Sequence, residues 1–244
     1  MQYHLDTIPV WEALEKQGEC PMCYIRRKVE QDEVERSLGG SVMEPDARIR
    51  VNERGICAEH NRQLAQLQNK LGHALLIDSH TRELLKRLEK TAVPAAKGGF
   101  SLGRRSGSLD PLIEELESMA SRCVLCEAIE QHMQRYEYTF LHLWKNDAKF
   151  RETWEHSKGV CVPHAVRLLK ASQKHLNEAR QIEFASSLLE RLRAELSQNE
   201  KDLEWFTLKF DYRNQDKPWG NSRTALERTV NRLRGYCLGD DPLE

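Results

Sequence analysis

Eight residues of this sequence carry metal-binding chemistry, and they fall into two runs of one pattern. Cys20-Pro21-Met22-Cys23 is followed by Cys57-Ala58-Glu59-His60, and Cys123-Val124-Leu125-Cys126 by Cys161-Val162-Pro163-His164. Each run supplies three thiols and one imidazole, the ligand set of a closed tetrahedral zinc site. Thiolates are soft and imidazole borderline, a set that suits zinc, whereas oxygen ligands would suit calcium or magnesium. Two cysteines separated by two residues can both face one ion. A Cys-x-x-His at a helix start sets its ligands one turn apart, about 5–6 Å between Cβ atoms. The helix N-terminus adds N–H groups and a positive dipole end that favour metal-bound thiolates. The expectation is two zinc ions per chain held by Cys20, Cys23, Cys57, His60, Cys123, Cys126, Cys161 and His164. Whether each ion is held within one copy or across both is not set by the spacing.

Other chemistries use the same residue types. Cys-Pro-x-Cys also occurs as a thioredoxin-like redox pair, but that reading needs a strand–helix–strand setting. An iron–sulfur cluster on three cysteines and a histidine is the cofactor alternative, although the tight cysteine run of ferredoxins is missing. Buried free cysteines packing as small hydrophobes would leave the matched histidines unexplained. A catalytic zinc keeps one position open for water, whereas each run here offers four ligands, which favours a structural role.

The elements that must position these ligands read as helices. Pro9-Val10-Trp11-Glu12-Ala13-Leu14-Glu15 corresponds to Pro111-Leu112-Ile113-Glu114-Glu115-Leu116-Glu117, with each proline suited to a first helical turn and Asp110 to an N-cap. Gly55-Ile56 and Gly159-Val160 precede the two Cys-x-x-His motifs, and glycine there fits a turn with positive φ or a close backbone approach. Leu64 matches Leu168, Leu84-Leu85 matches Leu188-Leu189, and Arg87-Leu88 matches Arg191-Leu192, all at an offset of 104. The register predicts an ancient duplication. In copy one, a short helix from Pro9 leads to a helix from about Pro21 to Leu38, ended by Gly39-Gly40. A loop through Glu44-Pro45-Asp46 then leads to one long helix from about Cys57 to Lys90, marked by Leu64, Leu67, Leu71, Leu75, Leu84 and Leu88. Copy two repeats the plan.

The expected fold class is all-α: two homologous helical metal-stapled units joined by a flexible linker, plus a C-terminal helical tail. The boundaries are 1–91 and 109–199 for the units, 92–108 for the Gly-, Ser- and Pro-rich linker, and 200–244 for a C-terminal docking segment. In that last segment an amphipathic helix runs from about Ser222 to Arg234, capped by Asn221 or Ser222 and stopped by Gly235. Aromatic residues interleave there with Lys209, Asp211, Arg213 and Trp219, which are candidates to line a cofactor or substrate pocket. The plainer reading of the same residues is a tail docked on the helical core. Cys237 has no matched partner and reads as a bystander. His73 and His80 stand two turns apart and could share a face with Glu83, though solvated or packed histidines give the same pattern.

Charged residues are 31% of the chain and sum to a net charge of −1. No global field therefore draws it to nucleic acid or a membrane. Residues 200–244 hold eight Lys or Arg against nine Asp or Glu, which does not make a nucleic-acid footprint. No stretch approaches the roughly 18 apolar residues of a membrane span. The opening residues lack the basic-then-apolar layout of a signal peptide, so a cytoplasmic location is expected. Thiols stay reduced there and bind metal more often than they form disulfides.

Several segments together resemble an uncharacterised bacterial family, a domain of unknown function. They are Tyr3-His4-Leu5-Asp6-Thr7-Ile8-Pro9-Val10-Trp11-Glu12, Cys20-Pro21-x-Cys23, the Gly40–Asp46 stretch, Gly55-x-Cys57-x-x-His60 and Lys209-Phe210-Asp211-Tyr212-Arg213. The resemblance covers essentially the whole chain and implies no particular chemistry. The function expected is a zinc-stapled helical scaffold or interaction module with a protein partner. The alternatives are a redox or iron–sulfur enzyme using the Cys/His clusters and a transferase-like enzyme with a pocket near the tail. Nucleic-acid binding, common among zinc modules, is a third and predicts a clustered basic face that the charge count does not favour.

Overall fold

The computed structural model describes residues 3–16, 18–91, 93 and 109–243, with residues 3–5 described by backbone alone. All regular structure among them is helical, as the sequence pattern predicts. The linker expected at 92–108 lies, apart from Val93, outside the described residues.

The chain runs through α1 (Tyr3–Glu15), α2 (Pro21–Leu38), a 3-10 turn (Gly40–Met43), α3 (Pro45–Arg54), α4 (Ala58–Gln66) and α5 (Lys70–Lys90). It continues through α6 (Asp110–Ser121), α7 (Val124–Asn146), α8 (Ala148–Glu155), α9 (Val162–His175) and α10 (Glu178–Leu208). Two 3-10 turns, Tyr212–Asn214 and Gly220–Thr224, lead to α11 (Ala225–Arg234). The same order therefore occurs twice: a first helix, a helix opened by Cys-x-x-Cys, a short helix ending near a glycine, a helix opened by Cys-x-x-His, and a long helix.

Five boundaries differ from expectation. The first helix begins at Tyr3, so Pro9 lies in its interior and forfeits one backbone bond there. At α6 the cap is Leu109, and Asp110 sits in the first turn, where its charge meets the helix dipole. The supposed loop at Glu44-Pro45-Asp46 opens α3, with proline and an acid in the first turn. The single helix expected over 57–90 is two helices. Asn69 caps α5 by accepting from Gly72 N at 2.8 Å, and its Nδ2 donates to Leu38 O at 2.7 Å. Asn177 breaks the matching stretch in the same way, accepting from Arg180 N at 3.0 Å. The expected C-terminal helix is α11, but it starts at Ala225 with Thr224 at the cap position, because Asn221 and Ser222, the caps expected, lie in the 3-10 turn before it; Gly235 stops it at φ 84° as expected.

Packing divides the chain into a larger compact unit, Met1–Val29 with Gln131–Glu244, and a smaller one, Glu30–Glu130. Their boundaries fall inside α2 and α7, whereas the sequence copies meet at 92–108. Division by copies describes the pattern of the sequence; division by packing describes which residues share a core.

The larger unit is built on aromatic rings. Phe140 meets Phe150 and Trp154 edge-on at 5.2 and 5.3 Å, and Trp144 meets Phe184 at 5.1 Å. Trp11 of α1 closes on Phe150 at 5.1 Å, and Trp154 Nε1 donates to Ser187 Oγ at 2.8 Å. Edge-to-face pairs of this kind add to the area each ring buries. In the smaller unit the buried cluster is aliphatic, with Val34, Leu38, Val42, Val51, Leu64, Leu76 and Leu125 packed beside Cys123. Each such side chain contributes about 1.5–3 kcal/mol on burial.

Candidate metal centres

The eight candidate ligands converge on two points. One centre gathers Cys20, Cys23, Cys161 and His164, all buried; the other gathers Cys57, His60, Cys123 and Cys126. Each Cys-x-x-Cys is thus joined by the Cys-x-x-His of the opposite copy. The ligand set written copy by copy, Cys20 and Cys23 with Cys57 and His60, is corrected by this crossed pairing. Each centre nevertheless lies inside one compact unit, the first in the larger and the second in the smaller.

Local geometry is the same at both centres. Cys57 and Cys161 occupy the N-caps of α4 and α9 at φ/ψ of −71/165° and −67/161°. Gly55 and Gly159 stand two residues earlier, both at φ 69°, the left-handed region expected for them. Space is tight there as well: a Cβ on Gly55 would lie 2.9 Å from His80 Nε2, and one on Gly159 would lie 3.0 Å from Arg191 Cβ, so a neighbour would have to shift. In the smaller unit Val124 N donates to Gly55 O at 3.1 Å, joining the two ligand segments directly.

In the Cys20 centre, Cys161 Sγ lies 3.7 Å from both Cys20 Sγ and Cys23 Sγ. His164 Nδ1 lies 3.5, 3.4 and 3.1 Å from Cys20, Cys23 and Cys161. In the Cys57 centre, Cys57 and Cys126 sulfurs are 3.9 Å apart, and His60 Nδ1 lies 3.2, 3.3 and 3.4 Å from Cys57, Cys123 and Cys126. A tetrahedron with zinc–sulfur bonds of about 2.3 Å and zinc–nitrogen bonds of about 2.0–2.1 Å has S···S edges of about 3.8 Å and S···N edges of about 3.5 Å. The S···S edges of 3.7–3.9 Å agree with this, and the S···N edges of 3.1–3.5 Å lie at or a few tenths of an ångström below it.

Charge tells the same story. Burial opposes ionisation of Cys20, but bonds from Cys161, Cys23 and His164 outweigh it and hold the thiol well below its ordinary value. Cys23 is pushed far up by its bonds to Cys161 and Cys20, and Cys161 is pushed up to about 12, chiefly by its bond to Cys20. At the other centre burial also opposes ionisation of Cys123, yet the bond to His60 brings it down to about 6. Burial and the neighbouring Cys123 charge push Cys126 up to about 12. Bonds to Cys123 and then Glu30 raise His60 to about 10. Thiolates this close repel one another, and a dication is the charge that would let all of them ionise.

Surrounding groups hold the ligands in place. His60 Nε2 is buried and makes no hydrogen bond of good geometry; Glu30 Oε1 faces it at 3.4 Å, within ion-pair reach and on the side where a carboxylate can orient a metal-binding ring. At the Cys20 centre, Arg232 of α11 is 1% exposed and links both ligand segments. Its guanidinium donates to Glu19 Oε2 at 3.0 Å and to Lys158 O at 2.9 Å, while Lys158 Nζ reaches Glu19 Oε1 at 2.6 Å. Tyr236 N donates to Cys23 Sγ at 3.4 Å. Glu19 and Glu30 stand near the motifs, but nothing in the sequence marks Arg232 or Tyr236 as their companions. A cavity of about 440 Å³ abuts this centre, with Cys20, Cys23, Cys161, Tyr24 and Tyr236 in its wall.

The four tail candidates serve the tail itself. Lys209 is 5% exposed, and its ammonium donates to Asn214 O, Gln215 O and Lys217 O at 2.6, 2.7 and 2.5 Å. Trp219 lies over that ammonium at 5.2 Å, while Asp211 and Arg213 pair with each other at 2.6 Å. None of the four lines the cavity at the Cys20 centre. His73 bonds Asn61 Oδ1 at 2.9 Å, and His80 bonds Asn52 O at 3.0 Å, so neither joins a centre. Cys237 is exposed.

Residues 1–240 match a family of unknown function, DUF6062, and the chain belongs to that family. No curated protein and no solved structure matches it. Among the described residues no helix is long and apolar enough to cross a membrane.

Proposed function

We propose that this member of the family is a zinc-stapled helical scaffold, carrying two structural sites with three thiolates and one imidazole each. One observation carries the reading: at both centres the donor–donor distances lie close to the edges of a single tetrahedral zinc ion. A polynuclear iron–sulfur cluster would spread its ligands over several irons, whereas all four donors here lie within 4.8 Å of one another. Four protein ligands leave no open position for water, which supports a structural rather than a catalytic ion. Each site would contribute on the order of 10 kcal/mol to the folded state at neutral pH. The matched glycines, caps and helix order support an origin by duplication, with each copy lending half a site to the other. A cytoplasmic location, where thiols stay reduced, and a protein partner complete the reading.

Metal analysis of protein purified without added metal tests it. About two zinc per chain with no visible absorption is the expected result. Brown protein containing iron and sulfide refutes it.

The cavity beside the Cys20 centre supports a second reading, in which a small molecule binds between the thiolates and the tail and the protein is an enzyme. Native mass spectrometry decides between them. A co-purified molecule lost on Tyr24→Ala favours the second reading, and a mass equal to chain plus zinc favours the first.

A further inference from the structure

The two centres are alike in their donors and unlike in their cover. Cys20 and Cys23 are each 8% exposed and Cys161 is 1% exposed. The tail lies against this centre, giving the Tyr236 N–H to Cys23 and the Arg232 lock to the ligand segments. At the Cys57 centre Cys126, the counterpart of Cys23, is exposed and Cys57 is half-buried. An N–H donated to a thiolate lowers its nucleophilicity, and burial bars attack, so the first centre is protected twice over. The second presents an exposed sulfur with another sulfur 3.9 Å away.

We propose that Cys126 is a modification site for hydroperoxides, with Cys57 as its resolving thiol and release of the smaller unit's zinc as the result. This rests on the zinc reading above. The Cys126 thiolate attacks one peroxide oxygen; the O–O bond breaks, leaving a sulfenic acid on Cys126 and a hydroxide. The Cys57 thiolate then attacks the sulfenic sulfur, the S–S bond forms, and a second hydroxide leaves. Both hydroxides take protons from solvent. The two sulfurs lose two electrons, the peroxide gains them, and zinc departs unreduced after losing two of its four ligands. The aliphatic core of the smaller unit then loses its staple, so peroxide exposure becomes an opening of residues Glu30–Glu130.

The test uses the full chain as purified, carrying Cys237→Ser to remove the exposed bystander. Its zinc content is measured first, and hydrogen peroxide is then added. Zinc release is followed with a chromogenic chelator, and disulfides are mapped by non-reducing peptide mass spectrometry. The expected result is that one of the two ions leaves at least about tenfold faster than the other, in step with a Cys57–Cys126 disulfide. A thiol reductant with added zinc reverses it. Equal release of both ions, first oxidation at Cys20, Cys23 or Cys161, or a first disulfide other than Cys57–Cys126, such as Cys123–Cys126, overturns the proposal. A chain without zinc before peroxide removes the metal reading itself; two ions that both resist peroxide remove only this one.

Discussion

Replacing Cys57 by Ala separates crossed from within-copy pairing in one experiment. Cys57 Sγ lies 3.2 Å from His60 Nδ1 and 3.9 Å from Cys126 Sγ, whereas Cys20 sits 3.7 Å from Cys161. The substitution therefore removes a donor from the smaller unit's centre and leaves the larger unit's four ligands untouched. A structural zinc site is worth on the order of 10 kcal/mol. A whole domain is commonly stable by only about 5–15 kcal/mol. A loss of that size is comparable with the whole net stability of a domain, so this unit melts while the other stays folded. Bound zinc falls from two ions to one. Native alkylation read by mass spectrometry then labels Cys123 and Cys126, besides the exposed Cys237, and spares Cys20, Cys23 and Cys161. Labelling of Cys20 and Cys23 with Cys123 and Cys126 protected refutes the crossed pairing and the reasoning built on it.

Three further outcomes follow from other contacts. Gly55→Ala forces a side chain into φ 69° and against His80, costing about 1–3 kcal/mol, and should lower the thermal midpoint of the smaller unit while leaving two zinc bound at room temperature. Glu30→Gln removes the carboxylate behind His60 and should weaken zinc binding about 10–100-fold at the Cys57 centre alone, measured by competition with a chelator of known affinity. Lys209→Met strips three carbonyls of their shared donor and should destabilise the larger unit by about 2–4 kcal/mol in urea, with zinc content unchanged.

Much of the molecule is legible in the residues themselves. Ligand identity follows from side-chain chemistry, and the Cys-x-x-Cys and Cys-x-x-His spacings bring each pair to one side of a helix start. Positive φ at Gly55 and Gly159 follows from their place before a ligand-bearing cap. The helical class follows from leucine periodicity, whereas the bonds of Lys209, Asp211 and Arg213 within the tail were foreseen neither by the pocket reading nor by docking on the helical core. The helix breaks were harder to read. Asn69 interrupts a continuous leucine pattern as the N-cap of α5, a local signal hidden by the periodicity around it, and its further bond to Leu38 O, thirty-one residues away, is one no local pattern reveals.

Pairing of the half-sites was decided by tertiary structure alone. An ion within one copy would bridge 33 or 34 intervening residues, whereas the crossed centres join cysteines 138 and 69 positions apart. Loop closure grows by only about 0.6 kcal/mol per doubling of length, so spacing favours one arrangement over the other by about 1 kcal/mol. Packing energies exceed that many times over. The aromatic core around Phe140 and the aliphatic core around Leu64 fix which helix starts meet, and the contacts of α11 and the residues after it cover one centre while Cys126 stays open at the other.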